Sequence, residues 1–203
     1  GEKEDIDFLL TQIAQIRKTL KPGEPFIGMG YSRGAMLVLK LQEISADKGE
    51  KLFDKIVLIT PAPPKGISAL SWPAIKAYLS IKPLWGFWRK PVRREFSSMA
   101  QAVFENRMPI NDQKNLYRDF SWESGRVILE TLFAPPKINP EKITVPVLVI
   151  AGAYDVLISP STAQKIANMF SADYRLVGGT HFILKGSARQ KMCEIIIEWI
   201  YGI

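Results

Sequence analysis

The sequence predicts an α/β fold, in which helices flank a parallel β-sheet. Short apolar runs alternate along the chain with longer segments whose apolar residues recur at three- and four-residue steps, as strands and amphipathic helices do when they follow one another. The apolar runs are almost uninterrupted, which is typical of strands buried on both faces of a parallel sheet. With 203 residues, 47% of them hydrophobic, the chain is long enough for one complete core.

The first part of the chain contains two predicted helices and two predicted strands. Residues 5–20 carry an apolar stripe at helical spacing, which a Lys-Pro-Gly sequence ends. Residues 25–30 are a short apolar run and are predicted to be a buried strand. Residues 34–47 are predicted to be a helix that is buried in its first turns, because those turns are apolar all round. Residues 55–60 are the next predicted strand, and prolines follow that cannot continue a sheet.

The last part of the chain contains the strongest strand pattern. Residues 145–152, VPVLVIAG, are predicted to be a strand that a helix over residues 161–170 follows. A further strand is predicted over residues 173–179, and a helix over residues 187–201 closes the chain.

Residues 68–136 interrupt this alternation. They contain four of the five tryptophans and the patterns of three short helices. These helices are predicted over residues 94–105, 112–120 and 124–133. The sequence therefore predicts an all-helical insertion over residues 68–136, within a core that residues 1–67 and 137–203 form.

The net charge of +7 is concentrated in one part of the insertion. The basic residues there are Lys76, Lys82, Arg89, Lys90, Arg93 and Arg94. We interpret them as the solvated face of an ordinary helical segment. The alternatives, through these residues and the neighbouring tryptophans, are peripheral contact with a membrane surface and binding of an anionic substrate such as an acyl-CoA. No recognisable nucleic-acid-binding module accompanies the charge, so nucleic acid is not a predicted partner.

Other features of the sequence exclude several classes of protein. The single cysteine, Cys193, excludes an intramolecular disulfide. No apolar run approaches 18 residues, so no membrane span is predicted, and no signal-peptide pattern is seen at the start, so a cytoplasmic location is expected. Neither a cluster of histidines and cysteines nor a phosphate-binding glycine motif occurs, so no metal and no cofactor are predicted.

A serine lies midway between two glycines in the sequence GYSRG, residues 30–34, between a predicted strand and a predicted buried helix. A reversal from strand to helix within a few residues forces the central residue into a strained conformation, and we expect both glycines to let the two backbones pass closely. Ser32 is therefore predicted to be a nucleophile at the carboxyl edge of the sheet. The amide of Arg33, at the start of the helix, is predicted to stabilise an oxyanion.

A serine nucleophile needs a base, and the chain has one histidine, His181. It ends a glycine-rich loop after a predicted strand, at the same sheet edge as Ser32. Asp155 follows the strongest strand at that edge and is predicted to orient the histidine; the alternative is a turn residue that caps the next helix. Three other acids lie at the wrong ends of their elements: Asp47, Asp54 and Asp173.

The chain order Ser32, Asp155, His181, with the GYSRG elbow, the acid in GAYD and the base in GGTHF, resembles the α/β-hydrolase superfamily. The helical insertion is similar to the cap, or lid, of its capped serine esterases and lipases. The resemblance implies a serine hydrolase that cleaves carboxylic esters or thioesters through an acyl-enzyme intermediate. A serine at the nucleophile position disfavours epoxide-hydrolase and dehalogenase chemistry, which uses an aspartate there.

The resemblance also implies parts that this sequence lacks. The superfamily has about eight strands, whereas four are predicted here, and the strands that would precede residues 25–30 are absent together with the loop that supplies a second oxyanion donor. We expect the chain to be the C-terminal part of a longer hydrolase, or a hydrolase that completes its sheet with a partner chain. The strand over residues 25–30 would then have an unpaired apolar edge, and the loss of one oxyanion donor costs about 100-fold or more in turnover.

The expected substrate is a small ester or acyl compound with an apolar acyl group, held beneath the insertion. Candidates to line its pocket are Phe96, Phe104, Leu116, Leu129 and Phe133. The side chain of Arg33 is expected to make a structural pair. Two alternatives remain open for the chain as a whole: a non-catalytic or incomplete α/β-hydrolase fold that binds a ligand, and cofactor-free perhydrolysis or acyl transfer on the same three residues.

Overall fold

The computed structural model describes residues 2–21, 23–68, 86–104 and 108–203. Six strands lie in these residues: β1 (Ile27–Tyr31), β2 (Lys55–Ile59), β3 (Pro91–Val92), β4 (Glu123–Ser124), β5 (Val147–Gly152) and β6 (Asp173–Val177). Seven α-helices accompany them: α1 (Glu2–Arg17), α2 (Arg33–Asp47), α3 (Phe96–Ala102), α4 (Ile110–Asp119), α5 (Gly125–Phe133), α6 (Pro160–Met169) and α7 (Arg189–Tyr201).

The main sheet has four parallel strands in the order β1-β2-β5-β6. The predicted parallel sheet with flanking helices is therefore confirmed. Each helix and strand that the sequence predicts outside the insertion is present, and its ends lie within about three residues of the predicted ones, which is the usual uncertainty of element boundaries.

Strands β2 and β5 are buried on both faces, which explains their uninterrupted apolar sequences. Leu58 and Val149 belong to the larger core cluster, with residues of α1, α2 and α6. Val57 and Leu148 point to the opposite face and pack in a second cluster with residues of α7. Because side chains alternate between the two faces of a strand, a strand with helices on both faces needs apolar residues at every position.

Strand β1 pairs on one side with β2, in a register that places Tyr31 opposite Ile59. Within the described residues β1 is an edge strand of the sheet, and Met29 in its centre is 49% exposed. The apolar first strand thus has the open edge that the sequence predicts.

The prediction that residues 68–136 are all-helical is wrong in one place. Pro91–Val92 and Glu123–Ser124 pair as a small antiparallel sheet, and strands of two residues are too short for an alternating pattern to reveal. The three predicted helices are present as α3, α4 and α5; α3 and α5 are shorter than expected, whereas α4 begins two residues earlier than expected. The predictions on residues 69–85, which include two of the tryptophans, lie outside the described residues. The division of the chain into a core and a cap stays a prediction.

None of the helices in the described part of the chain has the length and the apolar character that are needed to cross a membrane.

Candidate active site

Ser32 lies at the sharp turn between β1 and α2, in a strained backbone conformation. Its φ of 51° and ψ of −119° lie outside the regions that side-chain-bearing residues normally occupy, and such a residue costs about 1–3 kcal/mol. The turn is held by the end of β2, because the Ser32 amide donates to the Ile59 carbonyl (2.9 Å) and the Ala62 amide donates to the Ser32 carbonyl (3.0 Å). The neighbouring strand therefore maintains the strain that projects the serine side chain.

The two glycines that flank the serine differ in what they make possible. A Cβ on Gly30 would lie 2.5 Å from the Ala35 Cα and 2.5 Å from the Gly34 carbonyl oxygen, so only glycine lets β1 and α2 approach this closely. A Cβ on Gly34 would meet nothing within 4 Å. The expectation that both glycines permit a close approach is therefore wrong for Gly34 among the described residues: it lies in the first turn of α2, where its Cα faces open space.

The structure brings the three predicted site residues into one hydrogen-bonded series. The Nδ1 atom of His181 lies 2.8 Å from Asp155 Oδ2, and its Nε2 atom lies 3.0 Å from Ser32 Oγ. Because a carboxylate accepts but does not donate, Nδ1 carries the proton and Nε2 is left to accept the serine hydroxyl. Both His181 (6% exposed) and Asp155 (4% exposed) are buried, so little water competes for these hydrogen bonds. The catalytic role of the three residues stays a prediction at this point.

The second carboxylate oxygen of Asp155 binds the turn that follows it. The amides of Leu157 and Ile158 both donate to Oδ1, each at 2.9 Å. Helix α6 has its own N-cap, because Ser159 accepts the Thr162 amide, so Asp155 is not the capping residue of that helix. The turn instead fixes the carboxylate, whose other oxygen is directed at His181.

The loop that carries Asp155, the predicted acid, and the loop that carries His181, the predicted base, pass each other at Gly152, the last residue of β5. We call them the acid loop and the base loop. A Cβ at this position would lie 2.6 Å from the carbonyl oxygens of both Gly179 and Thr180. Only glycine therefore lets the loop that precedes His181 lie against the strand that precedes Asp155. Sequence reasoning missed this role, although a glycine at the end of the strongest strand was its visible signal.

Tyr31 and Thr60 contact the main chain of His181. The phenol of Tyr31 donates to the His181 carbonyl at 3.1 Å, the two rings lie 5.4 Å apart, and the Thr60 hydroxyl lies 3.5 Å from the same carbonyl. Burial, and then the charge of Asp155, raise the pKa of Tyr31 well above its usual range. The phenol is therefore neutral and remains a donor to His181. Its position next to Ser32 in the sequence is the signal that sequence reasoning did not use.

The acids that sequence reasoning set aside have other partners. Asp173 accepts a hydrogen bond from the Trp199 indole at 2.7 Å. Asp54 accepts the Phe26 amide at 2.8 Å and pairs with Lys51; the Lys51 side chain first, and then the Phe26 amide, lower the pKa of Asp54 below its usual value. Asp54 therefore ties the chain entering β1 to the start of β2, at the edge of the sheet opposite Ser32.

Arg33 is the first residue of α2, so its amide belongs to the first turn of a helix. Amides of a first turn have no acceptor in a preceding turn, and the helix dipole favours negative charge there. The side chain of Arg33 lines a narrow cleft between α2 and α5, with Met36, Glu130 and Thr131 among its neighbours. The structural pairing expected of this side chain stays a prediction.

An open cavity of about 260 Å³ lies beside the base loop. Its lining residues are Leu116, Asp119, Phe120, Ser121, Phe182 and Lys185. Among the residues expected to line an acyl pocket, Leu116 lines this cavity. Phe96 and Phe104 belong to the same apolar cluster as Leu116. Phe133, the last residue of α5, is 72% exposed and does not line this cavity, so its place in an acyl pocket stays a prediction.

The described residues include no group of three or more histidine, cysteine, aspartate or glutamate side chains that is arranged to hold a metal ion.

Solved structures match this chain over nearly its whole length, whereas no protein-family model and no curated protein matches its sequence. The methylesterase MES16 from Arabidopsis is 15% identical; the match covers 96% of this chain and 75% of that chain, with a TM-score of 0.65. An extracellular α/β-hydrolase from a Paenibacillus species is 15% identical, with 97% and 77% covered and a TM-score of 0.68. A monoacylglycerol lipase from Paleococcus ferrophilus is 17% identical, with 98% and 74% covered and a TM-score of 0.62.

About a quarter of each of these three structures has no counterpart in this chain. The matches cover at least 96% of this chain. The chain therefore has the fold of the α/β-hydrolase superfamily.

Proposed function

We propose that this chain carries the catalytic core of a serine hydrolase that cleaves carboxylic ester or thioester bonds through an acyl-enzyme intermediate. The observation that supports the proposal most is the hydrogen-bonded series from Asp155 through His181 to Ser32, at 2.8 Å and 3.0 Å, in a buried site. Two of the similar structures are named a methylesterase and a monoacylglycerol lipase, which favours an ester as the substrate.

In the first half of the reaction, Ser32 Oγ forms a bond to the carbonyl carbon of the ester. The hydroxyl proton passes to His181 Nε2, which lies 3.0 Å away. The tetrahedral intermediate then loses the alcohol or thiol, which takes that proton from the imidazolium. Asp155 stabilises the transient positive charge and keeps the proton on Nδ1, because its Oδ2 accepts from that nitrogen.

In the second half, a water molecule replaces the alcohol. His181 Nε2 removes a proton from the water as its oxygen attacks the acyl carbon, and the bond to Ser32 Oγ then breaks. The carboxylic acid leaves and the proton returns to Ser32. No redox step and no cofactor enters this cycle, so the side chains described above account for every proton transfer.

We assign the amide of Arg33 to the oxyanion that forms in both halves, because it follows the nucleophile and begins α2. Strand β2 occupies one side of β1, and its end contacts Ser32 through Ile59. A second donor would therefore approach Ser32 from the open side of β1. Each such donor is worth about 100-fold or more in turnover, so the occupancy of that side is expected to set the rate.

The cavity beside the base loop is a candidate for the apolar part of the substrate. Leu116, Phe120 and Phe182 give it an apolar wall, and Lys185 and Asp119, whose charged atoms lie 3.7 Å apart, lie at the same cavity. Apolar side chains with a few polar groups are the usual lining of small-molecule sites. Phe182 directly follows His181, so a ligand in this cavity lies next to the base.

The test is covalent labelling of the purified chain with a fluorophosphonate probe, followed by hydrolysis of a short-chain nitrophenyl ester. Ser32→Ala is expected to abolish labelling and to lower ester turnover by about 1,000-fold or more. Ser97→Ala removes an exposed hydroxyl of α3 and is the matched control, with labelling unchanged. Labelling of Ser32→Ala at the rate of the unmodified chain would exclude Ser32 as the nucleophile.

A further inference from the structure

Two hydrogen bonds from the base loop to the inserted segment end on one carbonyl group. The Val103 carbonyl, just past the end of α3, accepts two hydrogen bonds: one from the Thr180 hydroxyl at 2.7 Å and one from the Phe182 amide at 3.2 Å. Thr180 and Phe182 are the two residues that flank His181 in sequence. We call this arrangement of one carbonyl and two donors the Val103 contact.

The position of the carbonyl is itself well fixed. Val103 is buried, and its amide donates to the Met99 carbonyl at 2.9 Å, which ends α3 in a closed turn. The next residue, Phe104, is 1% exposed and packs edge-on against Phe182, with ring centroids 6.1 Å apart. The Val103 contact therefore joins two buried pieces of chain, and a shift of one moves the other.

The acid loop belongs to the same cluster. Leu157 and Ile158, whose amides hold the Asp155 carboxylate, are buried with Val103 and Phe104 in one apolar cluster. The residues next to the acid and those next to the base thus pack against the same short stretch at the end of α3. This stretch belongs to the segment between β2 and β5, which is not part of the main sheet.

We propose that the Val103 contact positions the base, with Thr180 as a positioning residue that keeps His181 Nε2 within hydrogen-bonding distance of Ser32. The inference rests on the proposed function for its kinetic consequence. Thr180 touches neither Ser32 nor the imidazole in this role; it acts through the main chain on either side of His181. The inserted segment then influences the reactivity of the serine through the main chain on either side of His181.

Thr180→Val is the informative variant, because it keeps the shape of the side chain and removes its hydroxyl. The Val103 carbonyl keeps the Phe182 amide as a donor, so no buried acceptor is left without a partner and the chain is expected to fold. Thr180→Ser restores the hydroxyl. Thr11→Val is the matched control, since the Thr11 hydroxyl makes the same kind of bond, to the Asp7 carbonyl in α1 at 3.0 Å.

The first measurement is the rate of fluorophosphonate labelling as a function of pH. Thr180→Val is expected to label Ser32 about 10-fold more slowly than the unmodified chain, because small displacements of reacting groups lower rates steeply. Thr180→Ser is expected to lie within about twofold of the unmodified chain, and Thr11→Val is expected to be unchanged. A normal rate for Thr180→Val, or a slow Thr180→Ser, would overturn the proposal.

The second measurement does not depend on catalysis. The chain has one histidine, so ¹⁵N-labelled histidine gives the nuclear magnetic resonance signals of His181 alone. The unmodified chain is expected to hold its proton on Nδ1, and Thr180→Val is expected to show a mixture of both tautomers. An unchanged His181 spectrum in Thr180→Val would overturn the proposed positioning role of the Val103 contact. Labelling that survives Ser32→Ala would instead overturn the proposed function and leave this spectroscopic readout intact.

Discussion

Replacing Gly152 by alanine tests whether the close approach of the acid and base loops determines reactivity. The added Cβ would lie 2.6 Å from the carbonyl oxygens of Gly179 and Thr180, and ordinary contact begins at about 3.4 Å. The base loop must therefore move by about 0.8 Å, because both obstructing atoms are backbone atoms and cannot rotate away. His181 follows Thr180 directly and is expected to move with it.

A movement of this size is large compared with the tolerance of the site. His181 Nε2 lies 3.0 Å from Ser32 Oγ, and an added 0.8 Å takes the pair beyond hydrogen-bonding distance, which ends at about 3.5 Å. We expect fluorophosphonate labelling and ester hydrolysis to fall about 100-fold. Overpacking at a buried position costs about 1–3 kcal/mol, so the free energy of unfolding falls while the chain remains folded.

Gly178→Ala is the matched control, because it adds the same methyl group one residue before Gly179. A Cβ there meets nothing within 4 Å, and the φ angle of Gly178 is not positive. Circular dichroism and urea unfolding establish that both variants are folded before their rates are compared. If folded Gly152→Ala labels within about twofold of Gly178→Ala, the close approach at Gly152 does not position the base, and the reasoning from backbone contact is refuted.

Three further predictions follow from the site and its surroundings. Gly34→Ala is expected to keep both activity and fold. Gly30→Ala is expected to lose soluble expression or labelling, because its Cβ would meet the α2 backbone at 2.5 Å. Equal behaviour of the two variants would contradict this difference. The phenol of Tyr31 is expected to stay protonated near pH 10, where exposed tyrosines ionise, because burial raises its pKa. Ultraviolet titration at 295 nm should therefore find the same number of ionising phenols in Tyr31→Phe and in the unmodified chain. One ionising phenol fewer in Tyr31→Phe would contradict this expectation. Asp54 has a lowered pKa in the folded chain, so the stability that it contributes is complete above its unfolded pKa of about 4 and is lost as the pH falls through the folded pKa. Urea unfolding should find Asp54→Asn less stable than the unmodified chain by under about 1 kcal/mol at pH 7, since the Lys51–Asp54 pair is partly exposed. This difference in stability should vanish in acid. A difference that persists unchanged at pH 2 would contradict the link between the pKa of Asp54 and stability.

The main sheet and the order of its helices were predictable because their signals are local. An apolar run such as VLVIAG, residues 147–152, has few alternatives to a buried strand. Ser32, Asp155 and His181 could be brought together from sequence for the same reason: each follows a strand, and parallel strands end at one edge of the sheet. The two-residue strands at Pro91 and Glu123 carry no such signal, so the inserted segment was predicted less well.

The contacts that position the site are of a different kind, because they join residues far apart in sequence. The Tyr31 phenol binds a carbonyl 150 residues later, and the Thr180 hydroxyl binds one 77 residues earlier. No periodicity or local motif encodes such a pair, since the partner in each case is a backbone carbonyl, which every residue type offers equally. Sequence therefore brought the three candidate site residues together and could not predict which residues hold them in place.

This division has a consequence for how substitutions in the chain should be judged. Under the proposed function, variants of Ser32 or His181 remove a reacting group, so they are expected to lower turnover with little change in the free energy of unfolding. Variants of Gly152, Tyr31 or Thr180 change how tightly packed backbone segments fit together, so they are expected to lower turnover and stability together. One result would contradict the view that these positioning residues act through packing and hydrogen bonds in the folded state. It is a substitution, at a residue that does not contact the reacting atoms, that lowers turnover about 10-fold while the free energy of unfolding is unchanged. The ratio of the two effects, measured for each variant by labelling rate and urea unfolding, therefore separates the reacting residues from those that position them.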